Sequence, residues 1–306
     1  MTARGFSLVS GGLDSRLAVR LLQRAGAEVT GLCFETPFFG SAAARKAAAA
    51  LGIELVVVDF TDTELRIVEN PPHGFGGAMN PCIDCHAAMI RRAGEMMSER
   101  GWDFVATGEV MGQRPMSQNR QALVTVAKSS GLEGRLIRPL SAKLLEPTIP
   151  ETEGKLDREM LLDICGRSRE RQIALAKEFG IVDYPSPAGG CKLTESGYGH
   201  KLKDLLVHEG FGDRRLVELL SVGRHFRLPD GTGLVVGRDR GENEILRGEE
   251  SRGVLVDSGD LPGPTALLIG GPKSPEDFGR ARRIVLAYTK GGGIDDRSFF
   301  ASWHIS

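Results

Sequence analysis

The 306-residue sequence has no Walker phosphate-binding motif, no apolar run long enough to span a membrane, and almost no net charge. Without a GxxxxGK[ST] pattern, an ordinary P-loop nucleotide site is excluded. Because there is neither an apolar stretch of about 18 residues nor a signal-peptide pattern, we expect a cytoplasmic protein with no membrane partner. The formal net charge of −1 means that a nucleic-acid partner would have to bind a local basic face.

Cysteine is also scarce, and its placement is informative. Five cysteines, an odd number without a secretory signal, argue against a disulfide framework and favour a metal site or thiol chemistry. Cys82 and Cys85 lie three residues apart where a loop enters a helix, so both sulfurs can face one metal and the helix N-terminus favours their thiolates. Cys191 follows Gly189 and Gly190, which let the backbone approach whatever that sulfur binds. Cys33, in an apolar strand, and Cys165, in a helical stretch, are expected to be small core residues.

Strand-like and helix-like runs alternate through the first two thirds of the chain. Strands are predicted at residues 5–10, 28–34, 53–59 and 102–107, and helices near 14–25, 41–51, 84–100 and 169–180. This order predicts an α/β fold with a doubly wound, mostly parallel sheet. Near residue 196 the pattern changes to short, Gly-rich and charge-dense segments, so we divide the chain into a domain over 1–195 and a smaller C-terminal α+β domain over 196–306.

The most informative segment joins the first strand to the first helix and reads Ser10-Gly11-Gly12-Leu13-Asp14-Ser15. Gly11 and Gly12 can adopt positive φ and leave backbone N–H groups free to converge on a phosphate, with the helix N-terminus and the Ser10 and Ser15 hydroxyls adding donors. Asp14 would repel phosphate unless a cation lies between them, so we interpret it as a Mg²⁺ contact. A simple helix cap is the alternative, but a cap does not require two adjacent glycines.

Several further side chains are candidates for the same site. Thr107 and Gly108 end a buried strand at the carboxyl edge, where open α/β sheets bind ligands. In the following loop, Arg114 could pair with a phosphate of ATP or RNA and Gln113 could hydrogen-bond a base. Ser117 could cap a helix near 118–129. Lys143 and Lys192 are weaker cationic candidates, because most lysines lie on the solvated surface.

In the C-terminal domain, residues 224–228 and 234–238 flank a Pro-Asp-Gly-Thr-Gly turn and predict a β-hairpin. Strands are expected at Val254–Asp257 and Ala266–Ile269, and a helix at 275–288. Arg224, Arg227, Arg238 and Arg240 could line one face and contact RNA phosphates. A solvated surface of mixed charge is an equally good interpretation.

Three interpretations of Cys82, Cys85 and Cys191 stay open. A [4Fe–4S] cluster held by three thiolates would leave one iron free for an exogenous ligand such as sulfide. Zinc would need a fourth ligand, for which His86 is nearest. In the third, metal-free alternative, one cysteine carries a persulfide that another attacks as sulfur leaves.

Residues 10–15 match the SGGxDS signature of the PP-loop ATP pyrophosphatases. Together with Asn80-Pro81-Cys82-x-x-Cys85 and the remote Gly190-Cys191, the chain over residues 5–195 resembles the tRNA-thiolating members of that family, in particular the cluster-dependent thiouridine synthases. Asn80-Pro81 and Gly190-Cys191 are also similar to the cluster-free 2-thiouridine synthases. The 224–246 hairpin is similar to RNA-associated NFACT-R-like segments.

This resemblance implies a tRNA sulfurtransferase that binds ATP and Mg²⁺ at Ser10–Ser15, with Thr107 and Gly108 beside the nucleotide. It would adenylate a uridine carbonyl oxygen and replace it with sulfur delivered at a [4Fe–4S] cluster on Cys82, Cys85 and Cys191. Asp14 and the three cysteines are the expected catalytic residues. The implied partners are tRNA and a sulfur donor, either sulfide or a sulfur-carrier protein, and a homodimer stays open. The alternatives are a PP-loop ligase or amidating enzyme with structural zinc, persulfide-based thiolation of RNA or a small molecule, and a non-enzymatic nucleotide sensor that binds RNA.

Overall fold

Alternating strands and helices build the first of two units, Met1–Lys192. The computed structural model describes residues 2–186, 190–294 and 297–306. In the first unit the elements follow in the order β1 (Arg4–Leu8), α1 (Leu13–Arg24), β2 (Glu28–Glu35), α2 (Ala42–Leu51), β3 (Leu55–Asp59), α3 (Thr61–Glu69), α4 (Cys82–Glu99), β4 (Phe104–Ala106), α5 (Arg120–Ser130), β5 (Leu136–Ile137), α6 (Ile149–Thr152) and α7 (Glu170–Glu178).

The five strands of this unit form one parallel sheet in the order β3-β2-β1-β4-β5, which confirms the predicted α/β fold. The chain winds outward from β1 to β3 and then returns to β4 on the other side of β1. The switch point therefore lies between β1 and β4, the place where open α/β sheets bind ligands beyond the carboxyl ends of their strands. The loop containing residues 9–12 and the turn at Thr107 and Gly108 both start from this point.

Apolar side chains cover both faces of the sheet. On one face Phe6 and Val105 pack in a buried layer with Ile90 of α4. On the other, Leu17 and Leu21 of α1 pack in a second buried layer. The strands are buried from both sides, as expected for a parallel sheet, and this fixes the start of α1 relative to the strand ends.

The second unit, Leu193–Ser306, contains an antiparallel sheet. Its elements are α8 (Ser196–His208), α9 (Arg214–Leu219), β6 (Arg224–Arg227), β7 (Gly233–Val236), α10 (Arg240–Arg247), β8 (Gly253–Val256), β9 (Ala266–Ile269), α11 (Pro275–Ala287) and β10 (His304–Ile305). The sheet order is β10-β6-β7-β9-β8, and β6 pairs with β7 as the predicted hairpin. Phe226, Leu234 and Leu268 form its core with Ile284 of α11 and Phe300.

Three local expectations were wrong. Helix α4 begins at Cys82, two residues before the predicted start, so Cys82 and Cys85 both lie in its first turn. Cys165 is exposed and forms an isolated bridge with Met111, because its segment runs along the sheet edge as extended chain. The cap of α5 is Asn119, whose side chain accepts the Ala122 N–H, and not Ser117.

Within the described ranges, no helix combines the length and the hydropathy that a membrane crossing requires.

Candidate functional site

The loop between β1 and α1 has the open backbone that the sequence predicts, but its two glycines differ. Gly11 has φ +87°, and a Cβ there would lie 2.5 Å from the backbone of Ala43, so only glycine fits. Gly12 is the N-cap of α1 with φ −71°, so the expectation of positive φ at this position was wrong. A Cβ on Gly12 would meet only the Ser10 hydroxyl, at 3.5 Å. The absence of a side chain at Gly12 therefore leaves the N-terminus of α1 open.

The two serine hydroxyls of the loop are placed differently. Ser10 is exposed, and its Oγ accepts a long hydrogen bond of 3.4 Å from the Gly12 N–H, which leaves its own proton available. Ser15 is buried and donates to the Gly12 carbonyl at 2.8 Å. Ser10 is therefore the hydroxyl of this pair that can donate to a bound anion, while the Ser15 proton is used within the first turn of α1.

Asp14 lies in the first turn of α1 with an asymmetric environment. Its Oδ2 accepts a hydrogen bond of 3.1 Å from Gln113 Nε2, whereas its Oδ1 is buried without a partner. Burial raises the pKa of the carboxyl, opposed by the Gln113 hydrogen bond and by the positive charges of Arg169 and Arg114. An orphaned carboxylate oxygen is the donor that Mg²⁺ binds, so this position fits a divalent cation beside phosphate.

The carboxyl end of β4 packs directly on the start of α1. A Cβ on Gly108 would lie 2.6 Å from the Ser15 nitrogen, so glycine is required for this close approach. The buried Thr107 hydroxyl donates to Glu109 Oε2 at 3.0 Å. Gly108 thus adjoins the loop as expected, while Thr107 uses its hydroxyl to hold a neighbouring carboxylate.

Glu109 is a buried hub that the sequence reasoning missed. Arg138 Nε donates to it at 2.9 Å, and His86 Nδ1 lies 3.1 Å from its other oxygen. Burial alone would raise the pKa of Glu109, but the Arg138 and His86 charges and hydrogen bonds hold it well below its usual range. The contact between Glu109 and His86 connects the end of β4 to α4, and His86 is the residue next to Cys85. The available signal was an acidic residue directly after the Thr-Gly that ends a strand. The burial of Glu109 could not be predicted from it, because Arg138 and His86 are distant in the sequence.

The first turn of α4 carries the paired thiols. Asn80 Nδ2 donates to Cys82 Sγ at 3.2 Å, and Cys82 is partly exposed. Cys85, three residues further on in the same turn, is buried beside the carboxylate of Glu64. Burial raises the pKa of the Cys85 thiol well above its ordinary value, and Glu64, Cys191 and Cys82 add to the effect. Cys82 is therefore the more accessible of the two thiols, and an amide donor faces its sulfur.

Cys191 reaches this region from the end of the first unit. Its charge raises the pKa of the Cys85 thiol, so the two side chains lie within electrostatic range of each other. The next residue, Lys192, is anchored beyond the carboxyl end of β2, because its N–H donates to Phe38 at 3.0 Å and its Nζ donates to Pro37 at 3.2 Å. Gly189, one of the two glycines that the sequence places before Cys191, lies outside the described residues.

The three cysteines are the candidate ligands of a metal centre. In residues 2–186, 190–294 and 297–306, no group of three or more His, Cys, Asp or Glu side chains is arranged to hold a metal ion. The donor set nevertheless fits an iron–sulfur cluster in kind, since three thiols of this unit lie near one another. His86 Nδ1 lies against Glu109, so only its other ring nitrogen could serve a zinc ion.

Two more buried polar groups adjoin the site and were not anticipated. Both carboxylate oxygens of Glu64 are buried with the Cys85 thiol beside them, and burial raises the pKa of this group. Arg169, just before α7, has a buried Nε without a partner and lies near Asp14. Nothing in the local sequence of either residue indicates burial, because each is enclosed by segments that are distant in the chain.

The weaker candidates differ in the contacts that their side chains make. Gln113 contacts Asp14 rather than open space, and Arg114 is exposed but near Asp14. Lys143 pairs with the Glu159 carboxylate at 2.8 Å. Gln113 and Arg114 therefore belong to the candidate site, whereas Lys143 has a structural partner of its own.

The four arginines predicted to line the hairpin face have different partners. Arg227 pairs with Asp204 and Glu209, Arg238 with Glu242, and Arg240 with Glu244. Arg224 instead stacks on the Tyr288 ring, with 4.4 Å between guanidinium carbon and ring centroid. The mixed-charge interpretation therefore holds for three of the four arginines.

Comparison with known proteins supports both units. Residues 1–143 match the family described as thiamine biosynthesis protein (ThiI), and residues 223–297 match the family described as NFACT protein RNA binding domain. The second match confirms the likeness noted for the 224–246 hairpin.

Individual relatives are distant. A "tRNA-specific 2-thiouridylase MnmA" of Methylobacterium nodulans is 25% identical over 87% of this chain and 69% of its own length. A "Probable tRNA sulfurtransferase" of Caldanaerobacter subterraneus subsp. tengcongensis is 26% identical over 49% of this chain, and the match spans only 47% of that protein. A solved 4-thiouridine synthetase–RNA complex with bound ATP is similar at 19% identity and a TM-score of 0.43, over 58% of this chain and 41% of its own. The chain resembles the PP-loop ATP pyrophosphatases and, among them, the tRNA sulfurtransferases.

Proposed function

We propose that the protein is an ATP-dependent tRNA sulfurtransferase that adenylates a uridine carbonyl oxygen and replaces it with sulfur. One relationship carries the proposal: Cys191 lies within electrostatic range of Cys85, although the two are far apart in the chain, in a unit whose phosphate loop presents an unpartnered Asp14 oxygen. A nucleotide-activating loop and a set of three thiols in one unit are what such a reaction needs. The tRNA-modifying relatives and the RNA-binding-domain match support tRNA as the substrate.

In the first stage the residues of the loop bind and orient ATP. The Gly11–Gly12 backbone and the N-terminus of α1 supply N–H donors for phosphate, and Ser10 adds a hydroxyl. Asp14 would hold Mg²⁺ through Oδ1 while Gln113 fixes its other oxygen. The uridine oxygen forms a bond to the α-phosphorus and pyrophosphate leaves. Arg114 and Arg169 are placed to balance the negative charge near Asp14.

In the second stage a sulfur nucleophile adds to the activated carbon, the carbon–oxygen bond breaks, and AMP leaves with the oxygen. The proposed sulfur centre is a [4Fe–4S] cluster held by Cys82, Cys85 and Cys191. Such a cluster would supply a Lewis-acidic iron that binds sulfide as the donor, and no net oxidation or reduction is required. The Asn80 amide and the N-terminus of α4 stabilise negative charge on the Cys82 sulfur.

The decisive experiment measures iron, acid-labile sulfide and zinc, with an absorption spectrum, on protein purified without oxygen. We expect about four irons and four sulfides per chain, lost or strongly reduced in Cys82→Ser, Cys85→Ser and Cys191→Ser. Cys165→Ser is the matched control, because this cysteine is exposed and belongs to none of the motifs.

The alternatives give different results in the same preparation. Stoichiometric zinc and a product without sulfur would favour a ligase or amidating enzyme. Absence of metal together with a persulfide on one of the three cysteines would favour cluster-free thiolation. Cluster content and tRNA thiolation that survive Cys191→Ser would contradict the three-cysteine centre, whereas formation of AMP and pyrophosphate should persist in that variant.

A further inference from the structure

Nine of the twelve arginines of the second unit fall into two sets according to their contacts. Those with carboxylate partners are Arg215, Arg227, Arg238, Arg240, Arg252 and Arg280. Arg224, Arg283 and Arg297 are instead held by aromatic rings, and no carboxylate of the described residues pairs with them. Asp295 and Asp296 precede Arg297 in the sequence and lie outside the described residues. Ion pairs therefore neutralise about half of the arginines in the described part of this unit, whereas Arg224, Arg283 and Arg297 are held by aromatic rings.

Two of these arginines share a single ring. The guanidinium carbons of Arg224 and Arg297 lie 4.4 and 4.3 Å from the Tyr288 centroid. Both guanidinium groups therefore pack against this one ring. Stacking occupies the flat faces of both groups and leaves N–H edges free, except that Arg297 Nε donates to the Ala287 carbonyl at 3.1 Å. The ring thus holds two guanidinium groups in place before any ligand arrives, which lowers the entropy cost of binding.

Other positive groups surround this arrangement. Burial lowers the pKa of His304, and the charges of Lys201 and Arg224 lower it further, so both cations lie near that ring. On the other side, an open cavity of about 570 Å³ is lined by Tyr288, Lys290 and Arg297 and by the glycines at 291–293. Gly291 and Gly293 have positive φ, and a Cβ on Gly292 would lie 2.2 Å from the Leu286 carbonyl oxygen. A glycine-rich turn with exposed backbone beside arginine suits an anion.

We infer that Arg224, Tyr288 and Arg297 form the site at which the second unit binds the phosphodiester backbone of RNA. Guanidinium groups bind phosphate oxygens in pairs of parallel hydrogen bonds, which the exposed edges of these two side chains can supply. Because two guanidinium groups occupy this ring, it orders the arginines rather than stacking on a base. Contacts of this kind set the position of an RNA strand without reading its sequence. The inference rests on the proposed function for the identity of the RNA, which is tRNA.

The experiment measures binding of fluorescently labelled tRNA to the full chain by anisotropy between about 50 and 200 mM salt. Each phosphate contact contributes a slope of about 0.9 in log Kd against log salt, worth about fivefold in affinity near 0.15 M salt. For Arg224→Ala/Arg297→Ala we expect roughly 10- to 30-fold weaker binding and a salt slope smaller by about 2. In turnover, the KM for tRNA should rise while the rate at saturating tRNA stays unchanged.

Three further variants separate a phosphate site from a change in net charge or in folding. Arg238→Ala/Arg240→Ala removes the same formal charge from ion-paired arginines and should bind tRNA within about twofold of wild type. Arg224→Lys/Arg297→Lys should keep the salt slope but lose affinity, since lysine lacks the paired donors. Tyr288→Leu should lose affinity without a change in slope, with Trp303 fluorescence reporting that the unit is folded.

The results can distinguish a failure of this RNA site from a failure of the proposed function. Equal weakening by the two arginine-to-alanine pairs would overturn the site and leave thiolation of tRNA standing. A wild-type chain that thiolates tRNA, together with an Arg224→Ala/Arg297→Ala variant of unchanged Kd and slope, would overturn it as well. If the folded wild-type chain bound no tRNA, the site and the tRNA substrate would both be wrong.

Discussion

The Gln113 side-chain amide donates to one oxygen of Asp14 at 3.1 Å and leaves the other oxygen of the same carboxylate buried without a partner. One oxygen is thus fixed by the loop after β4, close to the switch point of the sheet. Leaving such an oxygen unsatisfied costs free energy, on the order of 1–3 kcal/mol. This cost is understandable if a cation binds there during the reaction.

Asp14→Asn should abolish activation of the substrate without harming the fold. An amide cannot replace the charge that holds Mg²⁺, so we expect at least a 100-fold loss in AMP and pyrophosphate formation with tRNA and ATP present. The melting temperature should stay the same or rise, because a buried charge is removed. Asp62→Asn, on the exposed side of α3, is the control and should keep full activity. Wild-type rates in Asp14→Asn would exclude a cation at this carboxylate.

Gly11→Ala should cost more stability than an ordinary glycine substitution at positive φ. Both Gly11 and Gly52 have positive φ, but a Cβ on Gly11 would overlap the Ala43 backbone, while nothing lies within 4 Å of one on Gly52. We expect a loss of about 1 kcal/mol for Gly52→Ala and about 2–4 kcal/mol for Gly11→Ala. Urea unfolding followed by Trp102 fluorescence measures the difference. Equal losses would mean that the loop can move away from α2.

The sequence allowed the scaffold to be predicted because its signals are local. The strand, the two glycines and the helix start near Asp14 are adjacent in the chain, and the turn at 229–233 identifies the hairpin. Glu109, Glu64 and Arg169 were missed because their burial depends on segments that only the folded chain brings together. Cys165 was wrongly assigned to the core for the same reason, since an apolar local pattern does not tell which side of a segment is covered.

Glu109→Gln should destabilise the first unit strongly, because Arg138 would remain buried without its counter-charge. Breaking one partner of a buried pair costs about 3–5 kcal/mol, whereas replacing both by apolar groups of similar size is often neutral. We therefore expect Glu109→Leu/Arg138→Met to recover much of the loss of stability in urea unfolding. The double variant should still lose activity, since His86 beside Cys85 no longer has its carboxylate partner. A double variant as unstable as Glu109→Gln would argue against charge burial as the cause.

The stability of the second unit should fall as the pH drops below about 6.5. Burial lowers the pKa of His225 to about 4, and its Nε2 donates to the Val222 carbonyl at 2.9 Å. The unfolded chain, with a histidine pKa near 6.5, therefore binds more protons than the folded unit between about pH 6.5 and pH 4. By linkage the folded state loses stability through this window, by on the order of 3 kcal/mol at pH 4.

Unfolding followed by Trp303 fluorescence at several pH values measures this loss. His225→Gln retains a donor for the carbonyl but cannot take up a proton, so its stability should vary less over the same range. His208→Gln is the control for a histidine-to-glutamine substitution at an exposed position of the same unit. If wild type and His225→Gln lost stability in parallel between pH 6.5 and pH 4, the dependence would have to come from other groups of the unit.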